Sequence, residues 1–341
     1  MSVSLIIVVT LTLGVIFVNG WTDAPNAIAT VVSTRVMSPG AAVKMAVVFN
    51  FLGAFAMTMV NAKVAATISN MVSFGSDENH LALVVLSAAM FAIVLWAVAA
   101  WYFGIPTSES HALIADVTGG AIAFGGFSAV NMGEWKKVLL GLLVSSVLGF
   151  VAGYSVTKLI ELLFRRVKRM TANKLFGAGQ MFGGAAMAFM HGAQDGQKFM
   201  GIFLLGVYLY NSELVSRSPD GNFTIPFWLI VLCSAVMGIG TSVGGYRIIK
   251  AVGMDMVKLE RYQGFAADIA ASACLLFSSL TGIPVSTTHT KTTSIMGVGA
   301  SRRLSAVNWM IVKDMVLAWI LTFPCCGIIA YFMAKLFLVI F

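Results

Sequence analysis

Eight long stretches of this chain contain no Asp, Glu, Lys or Arg. A helix of about 20 apolar residues crosses the hydrocarbon core of a bilayer, and each stretch is close to that length or longer. Only 11% of the chain is charged, whereas a soluble domain carries about 25%. The sequence therefore excludes a soluble globular protein and predicts an all-α, polytopic membrane protein with about 8 to 12 membrane segments. The stretches are 1–22, 45–62, 81–108, 138–157, 175–194, 221–246, 269–290 and 315–334.

A basic group separates the two halves of the chain. Its five members have no acidic residue among them: Arg165, Arg166, Lys168, Arg169 and Lys174. Short basic loops of membrane proteins face the cytoplasm. We therefore expect residues 166–174 to be a basic cytoplasmic linker in a multi-pass protein of the cell membrane. The net charge of +8 is then explained by basic residues that orient the protein in the membrane and contact membrane lipid. It does not indicate a nucleic-acid partner.

Two short motifs occur twice and in the same order. Gly20-Trp-Thr-Asp23 in the first half corresponds to Gly192-Ala-Gln-Asp195 in the second. Gly104-Ile-Pro-Thr-Ser-Glu-Ser-His111 corresponds in the same way to Gly282-Ile-Pro-Val-Ser-Thr-Thr-His289. The spacing between the two motifs is nearly equal in the two halves, which indicates a duplicated unit.

The duplication divides the chain into two units. We expect residues 1–165 to form a first transmembrane repeat and residues 175–341 to form a second. Repeats in membrane proteins commonly build transporters, and their sites lie near the bilayer midplane where discontinuous helices meet.

Helix-breaking residues stand in all four motifs. Glycine or proline interrupts the helical pattern at residues 20–25, 192–196, 104–106 and 282–284, which favours a break at each place. Clustered hydroxyl side chains follow the second pair of breaks, and such residues are typical N-caps of a helix that begins again. Unwound backbone at membrane depth is tolerated only where it is buried in protein or lines a cavity. We therefore expect four broken helices that converge on a polar cavity.

The motifs favour an anion as the ligand. A helix that begins inside the membrane directs unpaired N–H groups and its positive dipole end towards the ligand. Neutral hydroxyl and amide donors in the same motifs suit a tetrahedral oxyanion, and phosphate fits this set. The hydroxyl groups belong to Ser108, Ser110, Ser286, Thr287 and Thr288, and the amides to Asn26, Gln194 and Gln197.

Four charged side chains stand inside this apolar frame. A carboxylate within the bilayer marks an ion pathway or a proton relay. Asp23 and Asp195 are therefore candidates to hold Na⁺, to carry a proton, or to accept a hydrogen bond from a protonated phosphate. The halves differ, because Glu109 adds an acid to the first and Lys198 adds a base to the second. Glu109 is a candidate proton carrier, while Lys198 either neutralises the anion or pairs with Asp195.

Further titratable residues have two interpretations each. His111 and His289 either take part in proton coupling or hold a neighbouring backbone carbonyl. Asp116, Asp268 and Asp314 either belong to a relay or mark helix ends. The candidate coupling residues are Asp23, Asp195, Glu109, His111 and His289.

One pair of residues raises the alternative of a membrane enzyme. His191 and Asp195 stand one helical turn apart, as a catalytic base and acid would. The first copy of the motif has Asn19 in place of His191, so the duplication preserves no base. No Gly-rich phosphate loop with a following Lys-Ser or Lys-Thr is present, so ATP hydrolysis is not indicated. We expect no enzyme activity, no cofactor and no certain metal site.

In full, the first motif reads Asn19-Gly-Trp-Thr-Asp-Ala-Pro-Asn-Ala-Ile-Ala-Thr30 in the first half of the chain. In the second half it reads His191-Gly-Ala-Gln-Asp-Gly-Gln-Lys198, and in each half the Gly-Ile-Pro motif follows. With these motifs, nearly the whole chain resembles the inorganic phosphate transporter (PiT) family. The resemblance implies two inverted-topology repeats with re-entrant helical hairpins. It also implies phosphate bound between the repeats near the midplane, and symport with Na⁺ or H⁺ into the cell. The positions that match the family's pattern are Asp23, Asn26, Asp195, Ser108, Ser110, Ser286, Thr287 and Thr288.

The chain departs from that pattern at two positions. Thr22 precedes Asp23 where the family has Asn, and Lys198 stands where the family has Asn. The lysine removes a Na⁺ ligand and supplies a charge. We therefore favour H⁺ as the coupling cation, or transport of a metal–phosphate complex, and include Lys198 among the phosphate-binding candidates.

Three further questions stay open at this point. A sulfate permease of the same fold and a passive anion channel are the alternatives to a phosphate symporter. Carboxylate acceptors favour phosphate, because sulfate has no proton to donate to them. The size of the chain is compatible with a homodimer.

Overall fold

The computed structural model describes residues 3–74, 79–104, 107–215, 223–245, 249–250, 252–253 and 256–341. In these ranges the chain forms twelve α-helices and short 3₁₀ turns, with two isolated bridges in place of strands. The prediction of an all-α fold is therefore confirmed. The helices are α1 Val3–Thr22, α2 Pro25–Ser33, α3 Pro39–Val60, α4 Lys63–Ser69, α5 Asn79–Phe103, α6 Glu109–Gly125, α7 Met132–Phe164, α8 Arg169–Tyr210, α9 Phe227–Val243, α10 Arg261–Thr281, α11 Thr287–Arg302 and α12 Trp309–Ile340.

Seven helical segments of the described chain are long and apolar enough to cross a membrane. α9, with 17 residues, is shorter, and α8, with 42 residues, carries polar side chains through its middle. Seven is fewer than the sequence predicts, because the uncharged stretches 175–194 and 221–246 fall in these two helices. The seven are Ser4–Ser33, Pro39–Val60, Asn79–Phe103, Glu109–Ala129, Met132–Phe164, Arg261–Thr281 and Trp309–Ile340.

Helices from the two parts of the chain pack against each other in matching pairs. α6 packs on α12 and α11 packs on α7, while α1 packs on α9 and α3 packs on α8. Two of these pairs approach backbone to backbone. A Cβ atom at Gly119 of α6 would lie 2.2 Å from the carbonyl oxygen of Gly327 in α12. A Cβ at Gly297 of α11 would lie 2.0 Å from the carbonyl oxygen of Phe150 in α7. Each helix that follows a Gly-Ile-Pro motif therefore packs in backbone contact with a helix from the opposite part of the chain.

Three of the four predicted breaks lie where helices end in the structure. α1 ends at Thr22, and α2 begins at Pro25, a residue that suits the first helical turn because it lacks an N–H group. α5 and α10 end just before Gly104 and Gly282, whose φ angles are +68° and +72°, a conformation that glycine adopts without a steric penalty. Residues 105–106 lie outside the described residues.

The predicted break at residues 192–196 is wrong, because α8 runs without interruption from Arg169 to Tyr210. The two glycines serve close packing. A Cβ at Gly192 would lie 2.1 Å from the carbonyl oxygen of Asn50, and a Cβ at Gly196 would lie 2.7 Å from the Cβ of Ala54. No proline accompanies them, so the helix continues while α3 packs against its backbone.

The connection between α7 and α8 is shorter than the predicted linker 166–174. α7 ends at Phe164 and α8 begins at Arg169, so most of the predicted linker forms the first turns of α8. Residues 169–174 contain neither Gly nor Pro, and the Arg261 guanidinium donates to the carbonyl oxygen of Asn173 at 3.4 Å. This contact holds the beginning of α10 beside the basic group.

Candidate substrate and ion site

The N-termini of α6 and α11 meet inside the molecule. Ser108 Oγ accepts a hydrogen bond from the His111 N–H at 3.3 Å, and Ser286 Oγ accepts one from the His289 N–H at 3.1 Å. The predicted N-caps are therefore confirmed. Ser108 Oγ also donates to Ser286 Oγ at 2.8 Å, so the two caps touch. Both helices direct their positive dipole ends into one region.

Two carboxylates share a hydroxyl group in this region. Thr287 Oγ1 lies 3.4 Å from Asp23 Oδ2 and 3.2 Å from Asp195 Oδ2. Asp23 follows the end of α1, Asp195 lies in the middle of α8, and Thr287 is the first residue of α11. Motifs that stand far apart in the sequence thus come together around one hydroxyl.

Asp23 is hydrogen-bonded by an amide and a hydroxyl. Asn26 Nδ2 donates to Asp23 Oδ1 at 2.6 Å, and Thr288 Oγ1 donates to the same oxygen. Asn26 Nδ2 also lies 3.2 Å from Thr288 Oγ1. No lysine or arginine of the described chain forms an ion pair with Asp23, so its carboxylate is held by the neutral polar groups of Asn26 and Thr288.

Asp195, in contrast, has a cation beside it. Lys198 Nζ donates to Asp195 Oδ1 at 2.6 Å, to Ser110 Oγ at 2.6 Å and to the carbonyl oxygen of Val285 at 2.5 Å. Three oxygens around one positive charge are the surroundings that an ammonium ion or a small cation requires. Lys198 therefore neutralises Asp195 and ties α8 to the beginnings of α6 and α11.

Glu109 lies beside the same group of residues. The Thr22 hydroxyl donates to Glu109 Oε1, and Glu109 Oε2 has no hydrogen-bond partner among the described residues. Thr22 is the last residue of α1, and Glu109 is the first residue of α6. The Thr22 hydroxyl thus supplies the hydrogen bond that connects the end of α1 with the first turn of α6.

His191 adds a nitrogen ligand to the two aspartates. Its Nε2 lies 3.3 Å from Asp195 Oδ2 and 4.0 Å from Asp23 Oδ2, while its Nδ1 lies 3.0 Å from Asn50 Oδ1. An Nδ1–H that donates to this amide oxygen leaves a lone pair on Nε2, which is how proteins orient metal-binding histidines. One ligand atom from each of Asp23, His191 and Asp195 lies within 4.8 Å of the others. These three residues could hold a metal ion.

His111 and His289 lie apart from the carboxylates. Their ring centroids are 4.2 Å apart, and the His289 ring stacks on Trp319 at 3.8 Å while the His111 ring lies 4.5 Å from Phe323. In the described chain, no hydrogen bond joins either imidazole to Asp23 or Asp195. The structure thus places the two histidines between the meeting helices and α12.

The three other aspartates occupy different environments. Asp116 is buried in α6, and neither of its oxygens has a hydrogen-bond partner in the described ranges. Asp268 is buried in α10 and forms an ion pair with Lys291. Asp314 is exposed on α12. None of the three has a hydrogen bond to the residues that surround Asp23 and Asp195.

Three residues of this site are not among the ligands that the sequence predicts. The sequence suggests His191 only as a catalytic base, and it does not single out Asn19 or Thr22 as ligands. Asn19 Nδ2 lies 3.5 Å from Asp195 Oδ2. A signal is present nonetheless, because Asn19 and His191 occupy corresponding positions one helical turn before the two aspartates.

The whole site is closed to solvent. Each of the twelve residues that the sequence predicts to bind phosphate or the coupling cation is at most 5% exposed. Buried charges require paired or hydrogen-bonded surroundings, and the hydroxyls, amides and Lys198 provide these. The arrangement can bind an anion through helix N-termini and hydroxyls, and a cation through carboxylates, at adjacent positions.

Comparison with known proteins agrees with this chemistry. The sequence profile of the phosphate transporter family matches residues 19–330. The chain is 36% identical over 334 residues to the probable low-affinity inorganic phosphate transporter of Bacillus subtilis (strain 168), with 97% of each chain covered. It is 33% identical over 329 residues to the protein of the same description from Mycobacterium tuberculosis (strain ATCC 25618 / H37Rv), with 96% of this chain and 76% of that one covered.

A solved structure described as the sodium-dependent phosphate transporter has the same fold. It matches with a TM-score of 0.89 over 100% of both chains, at 22% sequence identity. The family consists of transporters, as the duplicated motifs predict, and not of enzymes. The resemblance derived from the motifs is thus confirmed, and the chain belongs to the phosphate transporter family as a multi-pass protein of the cell membrane.

Proposed function

We propose that this chain is a secondary transporter that takes up inorganic phosphate across the cell membrane together with a cation, H⁺ or Na⁺. The observation that carries the proposal is the meeting of the two helix N-termini beside Asp23, Asp195 and Lys198. Ser110, Thr287 and Thr288 supply hydroxyl groups at the same place. The relatives described as inorganic phosphate transporters support this assignment.

The carboxylates support phosphate as the anion. Asp23, Asp195 and Glu109 are acceptors, and a protonated phosphate oxygen can donate a hydrogen bond to them. A fully deprotonated sulfate leaves buried acceptors unpaired, and a site built for hydrogen bonds rejects such an analogue strongly. Sulfate is therefore the competitor against which selectivity is measured.

Lys198 favours the proton over Na⁺ as the coupling cation. Its ammonium group already occupies the three oxygens beside Asp195, so a mobile cation has no place there. Among the described residues Asp23 and Glu109 have no ammonium partner, and they are the carboxylates left to carry the coupling charge. A proton needs only one carboxylate oxygen, whereas Na⁺ needs several oxygen ligands.

The arrangement of possible metal ligands supports a second form of the transported substrate, a metal–phosphate complex. Asp23, His191 and Asp195 could hold a divalent cation that accompanies phosphate into the cell as a metal–phosphate complex. The cation would add positive charge beside Asp23, the carboxylate that Lys198 does not neutralise, and this lowers its repulsion of the anion.

Access to the site follows from the proposed repeats. We assign residues 1–165 and 175–341 to two inverted-topology repeats that enclose the site near the midplane, with the basic group on the cytoplasmic side. The matching helix pairs α6 with α12 and α7 with α11 support this assignment. Alternating access to such a site proceeds by rocking of one bundle against another.

Uptake of labelled phosphate into proteoliposomes tests the proposal. An inward H⁺ gradient and an inward Na⁺ gradient are imposed separately, and sulfate is added as competitor. We expect concentrative, saturable uptake with the H⁺ gradient and little competition by sulfate. Uptake that ignores both gradients would contradict symport, and non-saturating flux would indicate a passive channel. Asp23→Asn should lose uptake, and Asp314→Asn, which changes an exposed carboxyl of α12, is its matched control.

His191→Gln tests the metal-dependent form of the cargo in the same assay. We expect Mg²⁺ or Mn²⁺ to stimulate uptake by the unmodified protein and not by this variant. His80→Gln, at an exposed position in α5, is the control. Equal stimulation of both variants would exclude His191 as a ligand.

A further inference from the structure

A second buried ion pair lies outside the site described above. Lys291 of α11 and Asp268 of α10 form an ion pair, and both side chains are 0% exposed. Thr30 of α2 completes the group: its Oγ1 donates to Asp268 Oδ1 at 2.7 Å and lies 3.2 Å from Lys291 Nζ. Asp268 Oδ2 has no hydrogen-bond partner in the described ranges. The pair is thus only partly satisfied within the protein.

The pair lies one helical turn from the central site along two helices at once. Thr30 follows Asn26 by one turn in α2, and Lys291 follows Thr287 by one turn in α11. One turn of helix advances about 5.4 Å. Both steps lead towards the end of the molecule that carries the basic group, where Arg261 at the start of α10 contacts Asn173.

The polar groups continue in the same direction. Thr34 Oγ1 donates to Gln180 Oε1 at 2.9 Å. Gln180 is fully buried, and its Nε2 donor has no hydrogen-bond partner among the described residues. A Cβ at Gly264 would lie 2.0 Å from that nitrogen, which places it beside α10. A series of polar groups therefore extends from the central site towards the basic end.

Thr30, Asp268 and Lys291 each have an apolar residue at the corresponding position of the other repeat. Alignment of the repeated motifs relates Thr30 to Ile202, Asp268 to Met90, and Lys291 to Leu113. These three counterparts are buried members of one hydrophobic cluster. The hydroxyl, carboxylate and ammonium groups at Thr30, Asp268 and Lys291 thus have no polar equivalent at the corresponding positions, and a role in general helix packing does not explain this difference.

From this difference we infer that Lys291, Thr30 and Gln180 form a second, exit-side anion site, which the Lys291–Asp268 ion pair closes. The inference rests on the proposed phosphate transport. Protonated phosphate that leaves the central site replaces the Asp268 carboxylate at the Lys291 ammonium group, and the Thr30 hydroxyl and the Gln180 amide donate to it. The proton-bearing phosphate oxygen donates to the displaced Asp268 carboxylate, whose Oδ2 is without a partner among the described residues. After phosphate has left, the ion pair forms again, because an unpaired buried ammonium group is costly.

The neutral double variant Lys291→Met with Asp268→Asn tests this inference. Equilibrium binding of inorganic phosphate to the protein in nanodiscs should stay within about twofold of the unmodified protein. Initial uptake into proteoliposomes should fall by at least about tenfold, because hydrogen bonds to a charged group are lost from the exit step. Leu113→Met, at the corresponding position of the first repeat, should leave both measurements unchanged.

Two results would overturn the inference. Uptake at the unmodified rate would show that the pair has no part in exit. Loss of phosphate binding together with uptake, in a variant that unfolds at the unmodified temperature, would assign the pair to the central site. If the unmodified protein itself neither binds nor accumulates phosphate, the proposed function fails instead.

A second measurement leaves the ion pair intact. A membrane-impermeant thiol reagent, added from the side of the basic group, should label Thr34→Cys and reduce uptake by about tenfold relative to the unlabelled variant. The unmodified protein, with its four native cysteines, is treated in parallel. Absence of labelling from that side, or unchanged uptake after complete labelling, would contradict an exit path past Thr34.

Discussion

Ser108 and Ser286 cap the two helices that follow the Gly-Ile-Pro motifs, and their hydroxyl groups contact each other at 2.8 Å. They occupy corresponding positions of the two repeated motifs. The contact therefore brings the positive ends of two helix dipoles to one place. Both side chains are fully buried, so each hydroxyl affects stability and ligand binding together.

Replacing either cap should cost stability and uptake. Ser108→Ala and Ser286→Ala each remove an N-cap, which costs about 1 kcal/mol of folding free energy, and each removes a donor at the site. Ser38→Ala removes the exposed cap of α3 and should lower stability without affecting uptake. Thermal unfolding and phosphate uptake are measured for all three. Normal uptake by both buried-cap variants would exclude these hydroxyls from the site.

The two central aspartates should differ in what their removal does to stability. Asp195→Asn leaves the Lys198 ammonium group buried without its carboxylate, which costs about 3–5 kcal/mol. Asp23→Asn breaks no ion pair with a lysine and should cost less. Both variants should lose phosphate uptake. Their unfolding temperatures decide the comparison, and equal losses would contradict the pairing of Lys198 with Asp195.

Adding Lys198→Met to Asp195→Asn should recover most of the lost stability. The double variant has no buried unpaired charge, and such replacements are often neutral or stabilising. Uptake should stay lost, because the charged groups of the site are still absent. Thermal unfolding of the single and double variants checks this, and a double variant no more stable than Asp195→Asn would contradict it.

Replacing Lys198 should change the coupling ion. Lys198→Asn removes the ammonium group from the oxygens of Asp195, Ser110 and Val285, and it restores the amide found at Asn26 in the first repeat. Na⁺ can then bind these oxygens. We expect uptake by the variant to rise with Na⁺ concentration, whereas uptake by the unmodified protein does not. A variant that responds to H⁺ alone would contradict the role given to Lys198.

Gly192 should tolerate no side chain. A methyl group there meets the carbonyl oxygen of Asn50 at 2.1 Å, and overpacking of this kind costs about 1–3 kcal/mol. Gly14 also lies in a helix but has nothing within 4 Å of its Cβ position. Gly14→Ala should be neutral or stabilise the protein by up to about 1 kcal/mol. Thermal unfolding of the two variants separates close packing from helix propensity.

Local signals predict much of the fold and of the central site. The breaks before Ser108 and Ser286 follow from glycine, proline and hydroxyl residues that act within a few positions of one another. The continuity of α8 cannot be predicted in this way. A glycine such as Gly192 can either end a helix or allow a second helix to pack closely, and the local sequence is the same in both cases. Only the contact with Asn50, in a helix from the other half of the chain, distinguishes the two.

The second ion pair shows the same limit of local reasoning. Lys291 lies in a hydroxyl-rich stretch, and Thr30, the residue that holds it with Asp268, is 261 residues away. The sequence marks Asp268 as an unusual charge but does not identify its partner. Pairings of this kind depend on how α2, α10 and α11 pack, and no periodic pattern in the sequence records that packing.

The close approach of Gly119 to Gly327, and of Gly297 to Phe150, determines which helices can move independently. Helices whose backbones touch at these glycines have no side chain there that could adjust to sliding, so we expect α6 to move with α12 and α7 with α11. Each of these pairs joins one helix from each proposed repeat. Under the proposed division into repeats, we therefore expect each rigid body of the transport cycle to contain helices from both repeats, so that the proposed unit of duplication differs from the unit that moves.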